Sequence, residues 1–124
     1  MTRGIRGAVC AKSNTKEAIF SATTQLLRDI IKQNELATED IVSIFITATS
    51  DLNADFPAYA VRENGLRLVP VLCAVELSVP NAMTSVIRMM VHVNTDKTQG
   101  EIKHVYLGAT AKLRPDLSGT EQEN

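Results

Sequence analysis

Residues 85–94, Ser-Val-Ile-Arg-Met-Met-Val-His-Val-Asn, constrain the fold more than any other stretch of this chain. In an extended backbone Ile87, Met89, Val91 and Val93 line one side, while Val86 and Met90 flank Arg88 on the other. A strand that is apolar on both sides belongs inside a sheet that is covered on both faces. The rest of the chain supplies helices enough for one face only. A partner subunit is therefore expected to cover the other, which makes the protein an oligomer on physical grounds.

The longest helical pattern spans residues 15–34. Asn14 reads as its N-cap, and Glu17 stands three residues later in a capping-box-like start. Ala18, Ile19, Ala22, Thr23, Leu26 and Ile30 form one stripe, with Lys16, Gln25, Asp29 and Lys32 opposite and Asn34 as the stop. Strands are expected at 3–11, 41–49, 67–76, 85–94 and 102–107, the last extended by 109–113. Pro70 makes the third an edge strand or a bulged one. Residues 38–40 read as a polar turn or short helical start. A short helix is expected over 56–64, with Pro57 in its first turn and Gly65 at its end. The order β-α-β-α-β-β-β is an α+β fold: a five-stranded mixed sheet with one long and one short helix on one face. Residues 1–117 are expected to form a single domain and 118–124 a flexible C-terminal tail.

Charge and motifs narrow the function. Thirteen Lys+Arg against fourteen Asp+Glu give a net charge of −1, which argues against a general nucleic-acid binder. The N-terminus has no apolar core of a signal peptide, and no apolar run approaches the roughly 18 residues of a membrane span, so a cytoplasmic protein is expected. Cys10 and Cys73 lack CxxC or zinc spacing and read as reduced thiols. Phosphate-loop, dinucleotide, zinc-protease and serine-elbow motifs are missing. His92 and His104 each stand alone in a predicted strand, read as satisfied by a backbone or solvent contact. No metal, nucleotide cofactor or histidine base is expected.

What is left is arginine in apolar surroundings. Seven of the thirteen cationic residues are Arg. Arg6 and Arg88 lie inside predicted strands, Arg62 near the end of the short helix, and Arg114 between Leu113 and Pro115. A guanidinium there is costly unless paired. Its partner is either a protein carboxylate, such as Glu76 with Arg6 or Arg88, or a carboxylate of a ligand. The residues by themselves leave both open. Glu76 ends the apolar run from Val69, and Tyr106 sits in Val105-Tyr106-Leu107.

Taken together, these segments resemble one family. Arg3-Gly4-Ile5-Arg6-Gly7-Ala8 is similar to the opening of AroH-class chorismate mutases. Thr47-Ala48-Thr49-Ser50-Asp51-Leu52, Phe56-Pro57-Ala58, Ala60-Val61-Arg62-Glu63 and Val69-Pro70-Val71 with Cys73 and Glu76 follow in family order. Ile87-Arg88-Met89-Met90, His104-Val105-Tyr106-Leu107 and Leu113-Arg114-Pro115-Asp116-Leu117 complete a match from residue 3 to about 118. The resemblance implies a pseudo-barrel homotrimer with active sites between subunits. It implies the cofactor-free rearrangement of chorismate to prephenate, on the route to phenylalanine and tyrosine.

The resemblance also implies roles. Arg88 matches the arginine that meets the ether oxygen, Glu76 the carboxylate facing the ring, and Arg6 with Tyr106 the groups that hold the side-chain carboxylate. Cys73 matches a thiol near the ring hydroxyl, with Leu72 offering backbone contacts. Phe56, Ala58, Arg62, Leu113 and Arg114 match the cleft wall and closing tail. The family pattern has Lys where Tyr59 stands and Thr where Leu72 stands. Strict alternation puts Cys73 and Glu76 on opposite faces; both can serve one site only if the strand bulges or ends near Ala74, and such an irregularity is expected. Two other readings use the same arginines: a non-catalytic carboxylate-binding trimer and a Rid-type deaminase. The deaminase leaves Glu76, Cys73 and the opening segment unexplained.

Overall fold

The computed structural model describes residues 1–113. Five strands, β1 (Thr2–Cys10), β2 (Ile41–Ala48), β3 (Val71–Val75), β4 (Val86–Asn94) and β5 (Val105–Tyr106), form one sheet in the order β3-β2-β4-β1-β5. β4 runs antiparallel to both neighbours, while β3 lies parallel to β2 and β5 parallel to β1. Helices α1 (Lys16–Gln33) and α2 (Ala58–Glu63) pack on one face. The strand that is apolar on both sides thus takes the central position. Its Ile87, Met89, Val91 and Val93 are buried beneath the helices, and Val86 is buried on the other side. No helix among the described residues is long and apolar enough to cross a membrane.

Helix α1 buries Ile19, Ala22, Thr23, Leu26, Leu27 and Ile30. Each fully buried Leu or Ile contributes about 1.5–3 kcal/mol. The helix lies so close to β1 that only glycine fits at residue 7. A Cβ there would stand 2.8 Å from Leu26 Cδ1, 2.9 Å from Ile30 Cδ1 and 3.0 Å from the Val105 carbonyl.

Several local expectations are corrected. Thr15, not Asn14, caps α1: its Oγ1 accepts the Ala18 N–H at 3.1 Å from an extended backbone. Asn14 is engaged elsewhere, accepting the N–H groups of Asn53 and Ala54 at 3.0 Å and donating to Asn53 Oδ1 at 2.8 Å. Strand β5 is two residues long rather than six. The buried Asn34 at the end of α1 holds both backbone groups of Lys103, accepting its N–H and donating to its carbonyl. Those groups are therefore lost to a strand ladder. Beyond Tyr106, Gly108 at φ 57° turns the chain into a 3-10 helix over Gly108–Lys112, where a strand extension was expected. β3 begins only after Pro70, which has no N–H to give but whose carbonyl accepts from Ile44. It is an edge strand, as Pro70 implied.

The bulge of the sheet falls in β2, while β3 carries none and ends at Val75, next to Ala74. The β2–β4 register slips between Ile41 and Ser43, so Ile41 and Ile44, three residues apart, both reach the core. β3 pairs regularly with β2 from Val71 to Val75. The open face carries Phe45 and Leu72, which are 50 % and 63 % exposed and lie opposite each other on β2 and β3. The tail proposed for 118–124 lies outside the described residues.

Candidate active site

Strand register assembles the charged residues. Ala74, Thr47, Arg88, Ala8 and Tyr106 form one row across all five strands of the open face. Leu72, Phe45, Met90 and Arg6 form the next. Neighbouring strands are about 4.8 Å apart, so side chains in these rows meet. Glu76 follows β3 and continues its pairing, donating its N–H to the Ala48 carbonyl at 2.9 Å. Alternation from Leu72 and Ala74 brings its side chain to the same face. Arg6, Glu76, Arg88 and Tyr106 therefore line one cavity of about 220 Å³, with Thr47, Phe45 and Met90 as walls.

The Glu76 carboxylate is held at both oxygens. Thr47 Oγ1 donates to Oε1 at 2.7 Å, and the Leu77 N–H donates to Oε2 at 3.1 Å. Arg88 Nε lies 3.2 Å from Oε1. The Thr47 hydrogen bond, then the Leu77 N–H and the Arg88 charge, hold the Glu76 carboxyl below the usual carboxylate range, against an opposing effect of burial. The residue is an anion at neutral pH.

Arg88 is only partly satisfied by this pairing. Its Nε is buried, and despite the short distance its N–H finds no hydrogen-bond acceptor among the described residues. A buried donor left unsatisfied costs about 1–3 kcal/mol, more when charged. The internal ion pair and the ligand-facing arginine are thus not exclusive: Glu76 neutralises Arg88 without saturating its donors.

Arg6 is set by its backbone. Its N–H donates to His104 Nδ1 at 2.9 Å, so the imidazole takes the place of a strand carbonyl and its Nδ1 carries no proton there. His92, in contrast, pairs with Ser43 Oγ at 3.2 Å and meets the Phe45 ring edge-to-face.

The remaining expected residues lie elsewhere. Because β3 is regular, Cys73 points to the helix side and away from Glu76, which corrects the expectation of a shared site within one chain. It lines a larger, mostly apolar cavity of about 510 Å³ with Ile46, Ala48, Phe56 and Pro57. Burial pushes the Cys73 thiol up, against a hydrogen bond from the Ala58 backbone, so it stays protonated at neutral pH. Arg62 joins neither cavity and stacks over the Tyr59 ring at 5.5 Å. Leu72 is exposed on the edge strand, Leu113 closes the last 3-10 helix half-buried, and Arg114 lies outside the described residues. Thr47 is the contact to Glu76 that the residue-by-residue reading missed. Its signal was positional: period two from Phe45 puts it on the face opposite the buried Ile44 and Ile46.

Comparison with known proteins shows the family of the chain. The chorismate mutase type I family model matches residues 2–117. The chain belongs to the chorismate mutase type I family. It is 48 % identical over 122 residues to chorismate mutase AroH of Bacillus subtilis, covering 98 % of this chain and 96 % of that one. Chorismate mutase AroH of Thermus thermophilus is 41 % identical, over 98 % of this chain and 100 % of its own. A solved chorismate mutase from Clostridium thermocellum superposes with a TM-score of 0.87 at 42 % identity, covering 89 % of this chain and 98 % of that one. The protein is a chorismate mutase, an isomerase that converts chorismate to prephenate in aromatic amino acid biosynthesis. The deaminase and the non-catalytic trimer weighed from the sequence give way to this activity.

Proposed function

We propose that this chorismate mutase works as a homotrimer whose active sites form between subunits, with Arg6, Glu76, Arg88 and Tyr106 of one subunit facing Phe56, Ala58 and Cys73 of the next. The observation that carries the reading is the buried Arg88 Nε–H without an acceptor, beside an ionised Glu76 in a cavity open to the uncovered sheet face. One chain holds two separate groups of family-matched residues, on opposite faces of its sheet. Exposed Phe45 and Leu72 on the open face favour a second subunit there. Leu72 belongs to an edge strand and offers backbone groups at the junction.

The rearrangement breaks one ether C–O bond as a C–C bond forms within the same molecule. Product and substrate are isomers, and no proton or group leaves. The protein's tasks are then to hold a compact conformer and to meet the charge that develops. In this reading Arg6 and Tyr106 grip a substrate carboxylate. Arg88 donates to the ether oxygen as it gains negative charge, and Glu76 faces the ring as it becomes positive. A protonated Cys73 donates to or packs against the ring hydroxyl. Arginine suits the carboxylates because its planar fork matches them. The site asks for no metal or cofactor. Both thiols are free, which supports a cytoplasmic setting for the reaction.

The test is turnover of chorismate by the purified protein, with and without a chelator, with prephenate identified as product. Equal rates in both conditions are expected. Loss of activity on chelation would overturn the cofactor-free mechanism.

A further inference from the structure

We infer that Thr47 is a positioning residue for the rearrangement: its hydroxyl fixes the orientation of the Glu76 carboxylate against Arg88. This deepens the proposed function and rests on the reading of Glu76 as the carboxylate that faces the substrate ring.

Thr47 stands directly opposite Arg88 on β4 and opposite Ala74 on β3, two residues before Glu76. From that place its Oγ1–H reaches Glu76 Oε1 at 2.7 Å, shorter than the 3.2 Å separating Arg88 Nε from the same oxygen. The arginine N–H is not aimed at Oε1, so Thr47 makes the directed bond and Arg88 supplies only charge. Glu76 ends an exposed edge strand, and its side chain has several rotatable bonds. Without Thr47 its remaining anchor is the Leu77 N–H of its own backbone, which does not set where Oε1 points relative to β4. A carboxylate free to turn would form the linear bond from Arg88 Nε and take that buried N–H from the ether oxygen. Thr47 therefore acts on both: it turns Glu76 and keeps Arg88 Nε available.

The charged groups around Glu76 are few. Arg88 faces it from β4, and Arg6 and the Tyr106 hydroxyl face the same cavity from β1 and β5. Asp51, after β2, shares a smaller cavity with Glu76 beneath the 77–84 loop. The Thr47 bond also favours the charged carboxylate, in the same direction as Arg88 and against burial.

Thr47→Val keeps the shape and β-branching and removes the donor, while Thr47→Ser keeps the donor. Turnover of chorismate is followed across pH for both, for Glu76→Gln and for the unaltered protein, after thermal melts establish folding. Thr47→Val is expected to lower kcat on the order of tenfold and to move the acid limb of kcat/KM to higher pH. Thr47→Ser is expected to restore both. A purely structural threonine would lower stability without moving the pH limb. A Thr47→Val pH profile that overlays the unaltered one, while Glu76→Gln is impaired, overturns the proposal alone. An unimpaired Glu76→Gln overturns the reading of Glu76 and the proposal with it. If Thr47→Val does not fold, Thr47→Ala is read by the same criteria.

Discussion

A guanidinium in the middle of a five-stranded sheet needs a reason to be there. Among the described residues Arg88 pairs with Glu76 and still keeps a buried N–H without an acceptor. Its worth should lie where negative charge develops in the transition state. Arg88→Gln is expected to lower kcat by about 10² to 10³, or roughly 3–4 kcal/mol, with a smaller effect on KM. Steady-state kinetics on chorismate checks this, and a fully active variant would exclude the role. Glu76 sets the pH range. Its carboxyl lies below the usual range, so the ion persists as pH falls past the point where an ordinary glutamate protonates. The acid limb of kcat/KM should accordingly lie on the acid side of that value. Arg6, Arg88 and Glu76 were legible in the sequence because a charge among apolar neighbours is conspicuous. Thr47 was not, because a threonine in a β-branched run looks like strand propensity and nothing more.

At the scale of elements, close approach and capping govern what can change. Gly7→Ala would push a methyl group into Leu26, Ile30 and the Val105 carbonyl. Backbone cannot yield as side chains do, so a loss of about 1–3 kcal/mol is expected in denaturant unfolding at fixed protein concentration. Thr15→Ala removes the α1 cap and should cost about 1 kcal/mol, leaving kcat unchanged. Residue 15 lies in neither cavity, so unfolding and turnover separate cleanly. The helix stripe was readable from spacing alone, but the cap was not. Asn14 ranks above Thr15 as a cap residue, and only the 53–54 loop shows that Asn14 is occupied elsewhere. The same holds for β5, whose six expected residues shrank to two once Asn34 captured Lys103.

For the whole molecule the question is how two cavities on one chain become one site. If the halves meet across subunits, variants crippled in different halves should complement each other. Arg88→Gln and Phe56→Asp, each inactive, would be mixed, dissociated and reassociated. About a quarter of the unaltered activity per chain is expected, since random 1:1 mixing leaves that share of junctions with both halves intact. No recovery in mixed oligomers would place both halves within one subunit. Sedimentation should give a trimer.

The sequence by itself determined the fold class and the central place of residues 86–94. These follow from side-chain periodicity, which needs only the chain's own order of apolar and polar residues. It also singled out the arginines and Glu76, because charge in an apolar run is a local anomaly. Only the tertiary structure decided which of these meet. Register aligned Thr47 with Arg88 and Ala8 with Tyr106. The absence of a slip in β3 left Cys73 and Glu76 on the opposite faces that alternation gives them. The face of each strand residue depends on the parity of every position before it, and one bulge reverses all that follow. Bulges are fixed by what a strand packs against, which no single stretch of sequence contains.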